Sequence, residues 1–234
     1  MPRRAIIVYS GNGNGSGIYL EQRDIKTISG KQVLGAATPM PEDVFKEIAR
    51  SYVKNTSVNM SFGRIIPEHI LHASNSIGHT CVIWYRPAML KGLNFAAGLG
   101  IKGESAAHIP ATLYVVLNSS LYLFALESDT RPDLKTKLYR APFFNIYTDG
   151  RVCLGTAHTG KQKSPTFEGE ADRFERAFYL AEQNGGDTAG CCKTKLPELW
   201  TSLIKSKAKF PSKQELVQHP SIKTFSDLIN KFAK

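Results

Sequence analysis

The sequence has no CxxC pair, no low-complexity stretch, no internal repeat and only four cysteines, Cys81, Cys153 and the adjacent Cys191 and Cys192. Without paired ligand spacing a zinc cluster has little support, and no metal site is read. A secretion signal is missing as well. The apolar run Ala5 to Tyr9 is too short for one and no small-residue cleavage site follows, so the expected location is the cytoplasm, where a disulfide framework is not expected. The Gly-rich stretch Gly11 to Gly17 lacks a Walker lysine and the dinucleotide spacing. The residues after it are β-patterned, so its glycines read as hairpin turns and no cofactor is assigned. One stretch, Ile109 to Leu126, carries no charge over 18 residues. Pro110 at its start, Asn118 to Ser120 in its middle and its β-favouring residues exclude a membrane helix and predict a buried hairpin.

What is present is an ordinary globular composition, 42% hydrophobic and 21% charged, with a net charge of +10. At 234 residues, one domain with extensions is the expected count. The charge is uneven: between Lys193 and Lys234 nine lysines face three acids, Glu198, Glu215 and Asp227. That basic segment would attract nucleic acid, an anionic membrane or an acidic protein through the same field, or be a plain solvated surface.

Strands are expected at Ala5 to Tyr9 and Ile18 to Gln22, near Arg64 to Ile66, and at Cys81 to Arg86, Leu113 to Leu117 and Leu121 to Glu127. Helices are expected from Pro41 to about Val53, with Phe45, Ile48 and Tyr52 as its stripe, at Glu168 to Gln183, at Leu196 to Lys207 and at Ser226 to Ala233. Ser212 with Glu215 three residues later reads as a capping box opening a further short helix. Leu138 to Cys153 shows little regular structure beyond a turn at Thr148, Asp149 and Gly150. Strands followed by helices give an α+β class. Residues 1–35 read as an N-terminal β-hairpin extension and 36–234 as the main domain with a basic helical end.

Chemistry concentrates at Asn145 Ile146 Tyr147 Thr148 Asp149 Gly150 Arg151 Val152 Cys153 Leu154. This string resembles the active-site segment of ubiquitin-conjugating enzymes, in which His-Pro-Asn-Ile leads through a polar turn with Gly to Cys-Leu. Asn145 stands eight residues before Cys153, with Gly150, Val152 and Leu154 in step. Phe143 and Phe144 occupy the places of His and Pro. The wider context, Trp84 Tyr85 Arg86 Pro87 and then Tyr139 Arg140 Ala141 Pro142, resembles protein B of the bacterial PRTRC system, a divergent conjugating-enzyme relative. The resemblance implies a ubiquitin-conjugating-enzyme-like fold, a bacterial mobile-element setting, and two partners, a ubiquitin-like protein and a ThiF-like activating enzyme. It implies Cys153 as the thioester-forming thiol and Asn145 as its partner.

Physical chemistry supports those residue types. A thiolate is both a good nucleophile and a good leaving group, and a neutral carboxamide can donate to the oxygen on which charge develops. Eight extended residues span about 26 Å, so the two meet only if the chain folds back through the Asp149–Gly150 turn. Three supporting candidates carry two readings each: His158 as proton acceptor or loop residue, Asp149 as amine-orienting group or turn-former, and Arg151 as cation near the thiol or surface. Arg140, Lys161 and Lys163 share the last alternative. Cys153 itself is either the carrier or a buried structural thiol. The expected function is thus a thioester carrier that transfers a modifier to an amine. The alternatives are a non-catalytic binding protein of the same fold and a basic nucleic-acid-binding protein.

Overall fold

The computed structural model describes residues 3–10, 18–56, 60–63, 65–76, 79–155, 157, 164–185 and 189–233. The chain divides into two compact units, Met1–Ser57 and Val58–Lys234.

In the first unit β1 (Arg4–Ser10) pairs antiparallel with β2 (Ile18–Ile28), with Val8 opposite Leu20. The Gly11 to Gly17 connection lies outside the described residues. Ser29 and Gly30, both at positive φ, turn the chain into β3 (Lys31–Leu34), which pairs with the second half of β2. β4 (Thr38–Pro39) pairs with the first half, and α1 (Glu42–Thr56) follows, its acidic first turn suiting the helix dipole. The apolar stripe of α1 is not buried: Phe45 and Ile48 are exposed, and the Tyr52 side chain lies outside the described residues. Among the described residues no apolar side chain of this unit is buried. A short twisted ribbon with one helix has too little surface to close a core by itself.

The second unit is built on a five-stranded antiparallel sheet. Its order is β11 (Tyr139–Arg140), β10 (Ser120–Ala125), β9 (Thr112–Leu117), β6 (His79–Arg86), β5 (Ile70–Ser76). The charge-free run is the β9–β10 hairpin expected from the sequence, turned at Asn118 in the left-handed region. Its lack of charge has a simple cause: both faces of the sheet are covered. Val82, Trp84, Tyr114, Val116, Leu121 and Leu123 face one apolar core. Cys81, Ile83, Leu113, Val115 and Phe124 face a second, closed by Phe225, Leu228 and Phe232 of α5 (Phe225–Phe232). Cys81 is thus a core thiol, and burial pushes its pKa up to about 11.

Two strands without a clear sequence signal, β7 (Met89–Phe95) and β8 (Glu104–Ile109), form a second sheet with β12 (Glu182–Gln183). The strand expected near Arg64 to Ile66 is not formed at its described residues. Ile65 and Ile66 are exposed and irregular, because Pro67 restricts the residue before it and lacks an N–H to pair. Pairing resumes at Ile70.

α2 (Phe167–Leu180) is capped by Thr166, whose hydroxyl accepts from the Gly169 N–H. It lies on the large sheet through Ala171, Phe174 and Phe178 and through Glu175, whose buried carboxylate accepts from Trp84 Nε1 (3.2 Å) and Arg86 Nε (2.8 Å). The helix ends at Leu180, before the Asn184 to Gly186 stop signal, because Glu182 and Gln183 pair in parallel with Asn94 and Phe95 of β7. α3 (Leu196–Ser206) buries Leu199, Trp200 and Leu203, and Lys207 ends it in the left-handed region. α4 (Ser212–Glu215) forms without the expected capping box: Pro211 is its N-cap, and Glu215 instead accepts from the Thr194 N–H (2.8 Å) and hydroxyl (2.9 Å). The capping box in this region belongs to Thr224 and Asp227 of α5. The result is an α+β unit of antiparallel sheets and helices, with one parallel pair at β12. No helix among the described residues is long and apolar enough to cross a membrane.

His219 is buried, and its Nδ1 accepts from the Ile222 N–H at 3.1 Å, which requires the neutral ring. Burial, with Lys231 and Arg140 adding to it, holds its pKa below the ordinary imidazole value, and His69 and His72 shift the same way, mainly by burial. The unfolded chain therefore takes up protons first as pH falls. Their stabilising contribution is complete above about pH 6.5 and declines below it. The melting temperature is expected to drop from pH 7.5 to pH 5.5, and His219→Asn, which keeps an acceptor but cannot titrate, to reduce that drop. An equal drop in the variant removes His219 from the account.

Candidate thiol site

Residues 145 to 153 form a tight hairpin, as the turn signal at Asp149 and Gly150 implies. The Cys153 N–H donates to the Asn145 carbonyl (2.7 Å), Ile146 and Val152 bridge, and the Tyr147 N–H donates to the Arg151 carbonyl (2.9 Å). The hairpin is fixed to β10, where Val152 N–H meets the Leu121 carbonyl (2.8 Å) and Leu123 N–H the Gly150 carbonyl (2.9 Å). Gly150 has φ +88°, and a Cβ there would stand 2.9 Å from the Phe124 ring and 3.3 Å from the Leu123 carbonyl oxygen. Only glycine satisfies both restrictions.

The two phenylalanines in place of His and Pro anchor the other end of the hairpin. Phe143 is buried between Phe178 of α2, edge to face at 5.3 Å, and Trp200 of α3, stacked at 5.6 Å. Phe144 meets Phe95 of β7 edge-on, and Trp200 Nε1 donates to the Pro142 carbonyl (3.0 Å). Apolar burial of this kind fixes the segment leading into Asn145.

Asn145 takes φ +62°, a conformation asparagine tolerates better than most residues, and is 7% exposed. Its carboxamide is held from both sides by the segment after α2: Nδ2 donates to the Glu182 carbonyl (2.6 Å) and Oδ1 accepts from the Asn184 N–H (3.1 Å). The Asn145 N–H also donates to the Gly185 carbonyl. Cys153, paired with Asn145 across the hairpin, is exposed, whereas Cys81, Cys191 and Cys192 are buried. Asn145 and Cys153 line one open cavity of about 340 Å³, whose wall includes Asn94 of β7, Leu180 at the end of α2, Glu182 and Asn184. Leu180 is 66% exposed, an apolar residue standing at this cavity.

The other sequence candidates lie elsewhere. Asp149 makes the turn, its Oδ1 accepting from the Arg151 N–H (2.9 Å), and the Arg151 guanidinium sits over the Tyr147 ring at 4.8 Å. Neither lines the cavity, nor does Arg140, which donates to the Ala189 carbonyl (2.5 Å). His158, Lys161 and Lys163 lie outside the described residues. Among the described residues no cationic side chain lines the cavity, and Glu182 is its one carboxylate-bearing residue. Asn94, Leu180, Glu182 and Asn184 were not read as site residues, because β7 had no strand signal and the helix pattern ran on past Leu180.

A family model described as prokaryotic E2 family D matches residues 45–219, a span that includes the whole Asn145 to Cys153 hairpin. The chain belongs to prokaryotic E2 family D. No curated protein and no solved structure matches it. Family membership agrees with the resemblance read from the Asn145 to Leu154 segment and ties this prokaryotic E2 protein to a ubiquitin-like conjugation pathway.

Two outcomes follow from this geometry. In native family D protein a thiol reagent such as dithionitrobenzoate should titrate one sulfur quickly and Cys153→Ala should remove that phase, while all four react in denaturant; a fast phase surviving in Cys153→Ala would mean another cysteine is open. Gly150→Ala should cost about 2–4 kcal/mol in denaturant unfolding, from the forced positive φ and the overlap with Phe124 and Leu123. A loss under about 0.5 kcal/mol would show that the hairpin adapts.

Proposed function

We propose that this chain carries a ubiquitin-like modifier as a thioester on Cys153 and transfers it to an amine. The observation that carries the reading is an exposed thiol on a fixed hairpin, open to a cavity that also contains a side-chain carboxamide. In the loading step the Cys153 thiolate attacks the modifier's activated carbonyl on a ThiF-like activating enzyme, and that enzyme's thiolate leaves. In the transfer step an amine nitrogen attacks the Cys153 thioester, the carbonyl pair moves onto oxygen, the C–S bond breaks and Cys153 leaves as thiolate. The surplus proton of the amine goes to water. Asn145 has one amide hydrogen beyond the one given to Glu182, and that hydrogen is the donor assigned to the carbonyl oxygen. The likeness to PRTRC protein B supports the choice of partners, a ThiF-like enzyme and a β-grasp modifier.

The lysines around α3 have a place in this reading. Lys193, Lys195, Lys205, Lys207, Lys209 and Lys213 are exposed and have no ion-pair partner within 4.0 Å among the described residues. An acidic face on the modifier or the activating enzyme would be steered to them. A nucleic-acid reading rests on the same lysines and has no second feature behind it.

Reconstitution tests the proposal. The chain, a ThiF-like activating enzyme and a β-grasp protein encoded beside it, and ATP are expected to give an adduct that is cleaved by dithiothreitol and missing in Cys153→Ala. An adduct that persists in Cys153→Ala, or tight binding with no adduct and full function of Cys153→Ser in cells, would replace the carrier with a different site or with a docking protein.

A further inference from the structure

The transfer step places negative charge on the former carbonyl oxygen, and the donors available to that oxygen around Cys153 are few. The Cys153 N–H is committed to the Asn145 carbonyl. The Asn145 carboxamide spends its oxygen on the Asn184 N–H and one hydrogen on the Glu182 carbonyl, so turning it to serve the substrate with both hydrogens would break two bonds at once. Oxyanion sites act through donors already in place when charge develops, and more than one is usual. Asn145 thus offers that oxygen a single hydrogen, and a second donor is needed.

Two other carboxamides line the same cavity, Asn94 and Asn184, and neither side chain makes a hydrogen bond among the described residues. They differ in how they are held. Asn184 is exposed and lies in an irregular segment. Asn94 is half-buried on β7, a strand paired with β8 on one side (opposite Glu104) and with β12 on the other (opposite Glu182). Glu182, whose carbonyl accepts from Asn145 Nδ2, is thus the direct cross-strand neighbour of Asn94. Its flanking residues Leu93 and Phe95 are both buried, which fixes the pleat and sets the Asn94 side chain on the other face of the strand. A half-buried carboxamide without a partner, on a rigid strand and beside a reactive thiol, meets the requirement of preorganisation; an exposed one on a loop does not.

We propose that Asn94 is a further catalytic residue, donating a hydrogen bond to the carbonyl oxygen of the Cys153 thioester opposite the contribution of Asn145. The inference rests on the carrier reading of Cys153. Asn145 then has two functions, holding the hairpin to the segment after α2 and presenting its remaining hydrogen, whereas Asn94 holds nothing and acts only on the substrate.

The test needs no modifier. Full-length protein is loaded with the mercaptoethanesulfonate thioester of N-acetyl-glycylglycine, the Cys153 acyl adduct is measured by intact mass, and its decay on adding free lysine is followed. Asn94→Leu is expected to melt at the same temperature as the unsubstituted chain, to reach the same final extent of loading though more slowly, and to transfer on the order of 10–100-fold more slowly. Asn94→Asp, which keeps the shape and places a carboxylate against the developing charge, should be at least as slow, and Asn94→Gln should recover part of the rate. Transfer by Asn94→Leu within twofold of the unsubstituted rate, or a loss seen in Asn184→Leu in its place, overturns the assignment. Failure of the unsubstituted chain to form an adduct that Cys153→Ala abolishes overturns the carrier reading, and this inference with it.

Discussion

The site depends on a single side-chain amide. Asn145 joins two pieces of chain directly by hydrogen bonds: the hairpin that ends in Cys153 and the segment after α2, whose Glu182 and Asn184 also line the cavity. Through its main-chain carbonyl it also receives the Cys153 N–H, so the position of the sulfur is defined relative to Glu182 and Asn184. A carboxamide suits this task because it is neutral and offers donor and acceptor in one plane, matching the donor and acceptor of a strand backbone. A charged group in the same place would be costly at this degree of burial.

The sheets decide where that clasp can form. The five-stranded sheet is covered on both faces, leaving its β10 edge to hold the hairpin through Leu121 and Leu123. α2 is seated on the sheet by aromatic packing and by Glu175 shared between Trp84 and Arg86, and its end is drawn away from helix by pairing with β7. Phe143 and Phe144 connect these parts, since each packs against an element that frames the cavity, α2 and α3 for the first and β7 for the second. The absence of His and Pro at these positions therefore changes what anchors the loop, from local polar geometry to apolar burial, and leaves the thiol in the open.

Much of this was legible in the sequence because local rules act at short range. The charge-free run reads as a hairpin since Asn118 and the serines interrupt it, and Gly150 reads as a turn that brings Asn145 back to Cys153. What was not legible depends on pairing between distant segments. β7 has no alternating pattern, with Gly92 and Asn94 breaking it, and its partners β8 and β12 exist only once the fold brings them together. The end of α2 was misplaced for the same reason, because helical periodicity continues to Gln183 while the β7 edge takes Glu182 and Gln183 from it. Ser212 and Glu215 carry the spacing of a capping box, yet Thr194 takes the carboxylate. The exposed stripe of α1 is a further case: amphipathic periodicity fixes which face is apolar, and whether that face is covered depends on the rest of the structure.

The central claim is that Cys153 is the residue to which a modifier becomes attached, and the most direct measurement is to see that bond in the cell that makes the protein. Affinity-tagged chain recovered under acidic, non-reducing conditions and digested for mass spectrometry should contain a fraction of the Cys153 peptide bearing the C-terminal residues of a small protein through a linkage that hydroxylamine removes. The account is contradicted if the Cys153 peptide is recovered only as the free thiol while such an adduct maps to Cys191 or Cys192, or if no adduct is found on any cysteine.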